Sequence, residues 1–370
     1  MAIEDRIKEI EEEIAKTKYN KATSHHIGKL KAKVAALREE QIKRASAGGS
    51  AGRSYAVAKS GHATVAFIGF PSVGKSTLLN KITGAKSAVA AYEFTTVTII
   101  PGVLEHRGAK IQVLDMPGII RGASKGKGRG REVLSVARGA DLILLIIDAF
   151  NPGQFEALQE ELISANIRIN TRPPNIQVVK GDKGGVVLNA TTKLHHLDED
   201  LVRDICHEFG VINASIIVRE DANPDRFIDF LAGNRVYNKA ILCISKVDLV
   251  DPMTVKEQVR RYRAMGWQVV PVSAEQGQGL DQLRDAIYDT LGFIRVYLKP
   301  PGKEADMKEP LIVKSNSTVK DVCEYLHRDM VEKFRFALVT GRSAKFKEQT
   351  VGLEHQLADE DILTIVVKRG

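Results

Sequence analysis

Gly69-Phe70-Pro71-Ser72-Val73-Gly74-Lys75-Ser76-Thr77 holds the densest chemistry in the chain. Two glycines at this spacing let successive backbone N–H groups turn inward around phosphate oxygens. The lysine that follows neutralises the β- and γ-phosphates, and the Ser76 hydroxyl is placed to reach Mg²⁺. The run fits G-x-x-x-x-G-K-[ST], which carries this meaning only between a buried strand and a helix. The apolar run 63–69 before it and the helical pattern near 75–84 after it supply that setting.

Three further elements fit the same reading. Asp115-Met116-Pro117-Gly118 ends the next inner strand, where an aspartate can hold Mg²⁺ through water and the Gly118 N–H can meet a γ-phosphate; alone, such a run is an ordinary turn. Between the two, Tyr92-Glu-Phe-Thr-Thr-Val97 offers a hydroxyl to the metal, with Thr96 preferred over Thr95, although both also suit a following strand. Ser245-Lys246-Val247-Asp248 ends another buried strand. Asp248 can accept from N1–H and the exocyclic amine of guanine, a pair adenine does not present, while Lys246 can lie along the base. Ser273-Ala274, after the last strand, is placed to clasp guanine O6 through its backbone. In this order and at strand ends, the elements describe a GTP site.

Other candidates are weaker. His25-His26 and His195-His196 lack Cys or acidic partners at ligand spacing, so surface or capping roles suit them better than metal. Cys206, Cys243 and Cys323 are far apart and form no CxxC pair, which argues against a disulfide or metal framework and for a reducing cytoplasm. Arg121-Gly-Ala-Ser-Lys-Gly-Lys-Gly-Arg-Gly-Arg131 reads as a positive switch region or a solvated loop. The net charge of +8 suits a polyanion such as RNA, and Lys16 to Arg44 holds nine basic residues against Glu39 and Glu40. The longest apolar run, Leu142 to Ile147, is a strand's length, so no membrane span is expected. The opening Met-Ala-Ile-Glu-Asp lacks a basic stretch followed by an apolar one, so no secretory signal is expected.

The elements that must position these residues follow from periodicity. At 370 residues, two to four domains are expected. Ile3, Ile7, Ile10 and Ile14 form one helical stripe and Ile27, Leu30, Val34 and Leu37 a second, capped by Thr23 or Ser24; together they predict an antiparallel hairpin, read either as solvated or as touching RNA. Residues 45–54 read as a flexible linker. From residue 62, runs 63–69, 110–114, 141–148, 239–245 and 268–273 alternate with helical stretches, which is a doubly wound, mostly parallel α/β domain, with 97–104 as an antiparallel edge strand. About 90 residues separate the strand ending at Asp148 from that beginning at Lys239. Within that interval, 176–188 reads as a hairpin, followed by a helix at 199–209 and a strand at 215–219, so 168–221 is expected to be an inserted α+β subdomain. The expected division is therefore 1–60 helical region and linker, 61–167 and 222–292 nucleotide domain, 168–221 insertion, and 293–370 a compact unit of mixed type.

The loop G-F-P-S-V-G-K-S, the runs E-F-T-T and D-M-P-G-I-I, the long insertion, the helical N-terminus and the C-terminal unit resemble the developmentally regulated GTP-binding proteins, in the Obg-like branch of P-loop GTPases. The resemblance spans essentially the whole chain. It implies a GTPase domain with Mg²⁺, an insertion like the second domain of ribosomal protein S5, and a ubiquitin-like β-grasp TGS domain at 293–370. It also implies GTP and GDP as ligands, a cytoplasmic setting, a ribosome or RNA partner, and a dedicated stabilising protein. Two positions depart from the common pattern. Ser245 stands where Asn is usual, which puts one contact to the phosphate loop or base in doubt. Ile119 occupies the place where many GTPases carry the glutamine that orients attacking water, so slow intrinsic hydrolysis is expected and no catalytic residue is assigned. Ser72 replaces the loop Asn of some potassium-activated relatives, which leaves K⁺ an open second cofactor. Two functions follow: a translation-associated GTPase switch, and a nucleotide-gated RNA- or ribosome-binding scaffold with negligible hydrolysis.

Overall fold

The computed structural model describes residues 3–18, 20, 23–47, 60–83, 92–94, 97–118, 122 and 130–368. The chain divides into two compact units, residues 1–54 with 166–237, and residues 55–165 with 238–370. In the first unit, α1 (Ile3–Lys16) and α2 (Ser24–Ala47) bury Ile7 and Ile10 against Leu30, Val34 and Leu37, the two stripes expected. In the turn between them Asn20 and Thr23 bond reciprocally: Asn20 Oδ1 accepts the Thr23 N–H at 2.9 Å, and the Asn20 N–H donates to Thr23 Oγ1 at 3.0 Å. Beyond Ala47, the expected linker lies outside the described residues.

The second unit is built around β1 (Ala63–Gly69), buried at every position, and α3 (Lys75–Ile82). After them come β2 (Tyr92–Phe94), β3 (Val97–His106), β4 (Ala109–Asp115), α4 (Gly130–Arg138), β5 (Leu142–Asp148) and α5 (Gln154–Ser164). Valine- and isoleucine-rich runs take central places because both their faces are covered. Thus β1 pairs in parallel with β4 on one side and β5 on the other. Strand β3 is antiparallel to β4, as expected, but β2 adds outside it, so β3 is second from the edge.

The chain then returns to the first unit with β6 (Ile167–Ile169), β7 (Ile176–Lys180), β8 (Val186–Ala190), α6 (Glu199–Glu208), β9 (Ala214–Val218) and α7 (Pro224–Ala232). Here the hairpin expected over 176–188 does not form. Strand β9 lies between β7 and β8, antiparallel to the first and parallel to the second. The reason is burial: β9 places Ala214, Ile216 and Val218 in the core, whereas β7 and β8 each bury a single residue, so the most apolar strand takes the centre. The insertion also extends past the expected boundary at 221. Phe227 and Ile228 of α7 share one core with Val202 and Ile205 of α6 and with Ala32 and Ala35 of α2. The N-terminal hairpin is therefore not solvated all round, and Lys29 and Lys31 are spent on Asp204 at 3.3 Å and Asp225 at 2.9 Å.

Next come β10 (Val236–Ser245), α8 (Pro252–Ala264), β11 (Val269–Pro271) and α9 (Leu280–Leu291). They complete the sheet order β11-β10-β5-β1-β4-β3-β2. The carboxyl ends of the parallel strands share one edge, where open α/β sheets place their ligands. The remaining residues form β12 (Phe293–Leu298), β13 (Leu311–Lys314), α10 (Val319–Leu326), β14 (Phe334–Thr340), β15 (Gln349–Val351) and β16 (Asp361–Val367). Their order β13-β12-β16-β14-β15, with β12 and β16 parallel at the centre and α10 burying Val319, Val322 and Cys323, is a β-grasp.

Candidate functional site

The edge of the parallel sheet gathers Gly69, Asp115, Asp148 and Ser245 from four strands, with Ser273 just beyond β11. From Gly69 the chain turns through Ser72 (φ 64°) and Gly74 (φ 92°) before α3 begins at Lys75. The left-handed backbone at Gly74 is why a glycine precedes the helix. Lys75 folds back inside the loop, its Nζ donating to the carbonyls of Gly69 at 3.2 Å and Phe70 at 2.9 Å. Burial holds its pKa below the ordinary lysine value, against the pull of Asp115.

Asp115 is 7% exposed, and its Oδ2 accepts a short hydrogen bond from the Ser76 hydroxyl. Its Oδ1 is buried with no hydrogen-bond partner among the described residues. Burial raises the Asp115 pKa, with the Ser76 hydrogen bond and the Lys75 charge opposing. A buried carboxylate oxygen without a donor, beside a serine hydroxyl, is an all-oxygen set that fits a hard divalent cation such as Mg²⁺. Three residues on, Gly118 packs on the phosphate loop. A Cβ there would lie 2.6 Å from Pro71 N and 2.8 Å from its Cα, so only glycine allows this approach.

Ser245 is buried, and its hydroxyl faces the carbonyls of Val73 at 2.7 Å and Ile147 at 3.0 Å. It braces the phosphate loop against the sheet, which the sequence left in doubt. Lys246 sits in left-handed backbone (φ 58°) and donates to Asp148 Oδ2 at 2.9 Å. Asp248 lies in a short 3₁₀ turn, half-buried, without a hydrogen bond to another described residue. The two outer loops are joined where the Val247 N–H donates to the Val272 carbonyl at 3.3 Å. Fully buried Ser273 ties its own turn through the Gln276 N–H and the Gln278 carbonyl, and Ala274 packs on the core.

The structure thus brings Gly69–Thr77, Asp115–Gly118, Ser245–Asp248 and Ser273-Ala274 to one edge. Thr95, Thr96, Ile119 and most of 121–131 lie outside the described residues. Sequence reasoning missed Asp148, although its place at the end of the most apolar run marked it. It also missed an open groove of about 480 Å³ lined by Phe70 and by Phe150 to Gln154.

A doubly wound sheet with this loop after β1 defines a P-loop nucleotide-binding protein. Residues 64–180 match the family described as 50S ribosome-binding GTPase, 183–293 the C-terminal region of the MMR_HSR1 domain, and 294–367 the TGS domain. Among similar proteins, an uncharacterized GTP-binding protein of Methanocaldococcus jannaschii is 53% identical, over 100% of this chain and 94% of that one. Developmentally-regulated G-protein 3 of Arabidopsis thaliana is 48% identical over 99% of each chain, and developmentally-regulated GTP-binding protein 1 of Xenopus laevis 45% over 98% of each. The chain belongs to the developmentally regulated GTP-binding proteins. Among the described residues, no helix is long and apolar enough to cross a membrane.

Proposed function

We propose that this chain binds GTP with Mg²⁺ at the β1–α3 loop, hydrolyses it slowly, and uses the cycle as a switch in contact with the ribosome. The observation that carries the reading is the unpartnered, buried Oδ1 of Asp115 beside Ser76, with Lys75 held inside the phosphate loop. Ser76 and Asp115 would hold the cation, which supplies charge neutralisation at the β- and γ-phosphates. Lys75 exchanges its two loop carbonyls for phosphate oxygens. Gly118, set against Pro71, offers its N–H where a γ-phosphate would lie, and Asp248 reads the Watson–Crick edge of guanine. The family description as a 50S ribosome-binding GTPase supports a ribosomal partner. A cytoplasmic setting and a dedicated protein partner complete this reading.

The second reading, a nucleotide-gated scaffold, is favoured by Ile119, whose side chain has no polar atom to orient water. Single-turnover hydrolysis of radiolabelled GTP, with and without ribosomes and in potassium or sodium buffer, separates the two. Acceleration by ribosomes supports the switch. Tight GTP binding with no turnover under any condition replaces it with the scaffold.

A further inference from the structure

Between β14 and β15 the chain runs Gly341-Arg-Ser-Ala-Lys-Phe-Lys-Glu348. Phe346 leaves 65% of its surface exposed, with exposed lysines on both sides. An aromatic ring at a loop tip is costly in water, and here the loop is held rather than loose. The Glu348 N–H donates to Thr340 Oγ1 at 2.8 Å, and the Lys345 N–H donates to Gln349 Oε1 at 2.7 Å. At its other end, Ser343 N–H reaches Asp361 Oδ1 at 3.2 Å, and Ala344 packs on the domain core. Glu348 occupies left-handed backbone (φ 56°), strain that a non-glycine residue bears only where its surroundings enforce it.

The charges around the ring differ in how they are used. Glu348 is taken by Lys299 at 2.7 Å, and Arg342 reaches Glu360 only at 3.5 Å, on the surface. Among the described residues, neither Lys345 nor Lys347 lies within ion-pair distance of a carboxylate. The loop therefore presents an exposed aromatic face between two lysines that make no ion pair among the described residues, although Lys347 feels the charge of neighbouring Glu348, with a third cation nearby. A convex tip cannot enclose a small molecule, which needs a concave pocket. Stacking of an unpaired base on an aromatic ring, with adjacent lysines on the backbone phosphates, is the recognition mode this arrangement matches. The chain's net charge of +8 favours the same polyanion.

We infer that the β14–β15 loop is a contact site for single-stranded RNA, with Phe346 as the stacking platform and Lys345, Lys347 and Arg342 on the phosphates. This rests on the reading that RNA is among the chain's partners, and names the segment that touches it. The test is fluorescence anisotropy of a labelled pyrimidine RNA of roughly 12 nucleotides, a length within the usual site sizes. It uses the full chain and a salt titration. Phe346→Ala is expected to weaken binding about 5- to 150-fold, which is the ~1–3 kcal/mol of one stacked base. Phe346→Trp is expected to keep it. Lys345→Gln with Lys347→Gln should lower the log–log salt slope by about 1.4, from about 0.7 per phosphate on a single strand.

Because the ring is exposed, melting temperatures should not move. Wild-type affinity in Phe346→Ala overturns the proposal, as does a wild-type chain that binds no single strand. Loss of a protein partner in that variant with RNA binding intact also overturns it, since the loop is then a protein-docking element. GTP affinity measured on the same samples separates this test from the proposed function. A chain that binds RNA through this loop but not GTP sinks the GTPase reading and leaves the loop assigned.

Discussion

Gly118→Ala isolates the contact between the aspartate turn and the phosphate loop. The added Cβ would meet Pro71 N at 2.6 Å, with the Pro71 Cα and Cδ both at 2.8 Å. Ordinary contact begins near 3.4 Å, so one segment must retreat by about 0.8 Å. Both sides of the clash are backbone or proline ring, with no flexible chain end to yield. Such overpacking costs about 1–3 kcal/mol in stability. Moving the turn outward by that distance carries the residue-118 N–H beyond hydrogen-bond range of a γ-phosphate. A hydrogen bond to a charged group is worth about 1.5–3 kcal/mol, so GTPγS affinity should fall about 10- to 150-fold. GDP has no γ-phosphate, and its affinity should change by less than about threefold, because the loop cradling its phosphates stays braced at Val73. Competition of GTPγS and GDP against a fluorescent GDP in Mg²⁺ buffer reads the ratio directly, with a thermal melt as the fold control. An unchanged ratio of the two affinities in a folded variant would refute the argument.

Asp248→Asn should relax guanine preference about 10- to 100-fold and admit xanthine nucleotides, because the amide can donate to the 2-oxo group; GTP, ATP and XTP competition checks it. Ser245→Ala strips the buried Val73 carbonyl of its donor, at about 1–3 kcal/mol, and should weaken GTP and GDP together; calorimetric titration of both nucleotides tests this. Asp359 is held below the usual carboxylate range by its hydrogen bonds to Arg295, at 2.7 Å and 3.1 Å. Its contribution is therefore present above the unfolded carboxylate pKa, near 3.9, and is lost as pH falls through the lower folded value. Asp359→Asn should cost about 1 kcal/mol at pH 7, roughly 1 °C in melting temperature for a chain of this length, because the pair is partly exposed. That gap should close as the pH is taken below about 4, and a gap of constant size would show that the charge is not the cause.

What the sequence makes legible here is set by local pattern. Buried parallel strands announce themselves as β-branched runs, so the strands ending at Gly69, Asp148 and Ser245 and the loops at their carboxyl ends could be placed from composition alone. The pairing of β7 and β8 could not. Adjacent strands joined by a Gly-rich turn look like a hairpin, and only the competing burial of Ile216 and Val218 puts β9 between them. The end of the insertion was hidden for the same reason, since Phe227 shows a helical period but not the core it joins. At the site, Gly118 reads as a turn residue, and its closeness to Pro71 exists only after two loops converge. Asn20 joins Thr23 in the turn before α2, a partner that the local pattern of polar residues did not single out.

Ser245 shows how a departure from the common pattern can be read once its neighbours are known. A hydroxyl has one proton, and the two carbonyls it faces, at 2.7 Å and 3.0 Å, must share it. The phosphate loop is also held from inside, by Lys75 on Gly69 and Phe70. These two restraints respond differently to ligand. On the proposed reading, phosphate oxygens would draw Lys75 off the carbonyls, so the internal restraint would be surrendered on binding, whereas the Val73 brace would stay. The free loop leans on both restraints and the liganded loop mainly on Ser245. Removing that hydroxyl should therefore cost more in nucleotide affinity than in the melting temperature of the free chain. Equal losses in the two measurements would place Lys75 on its carbonyls in both states and remove the asymmetry.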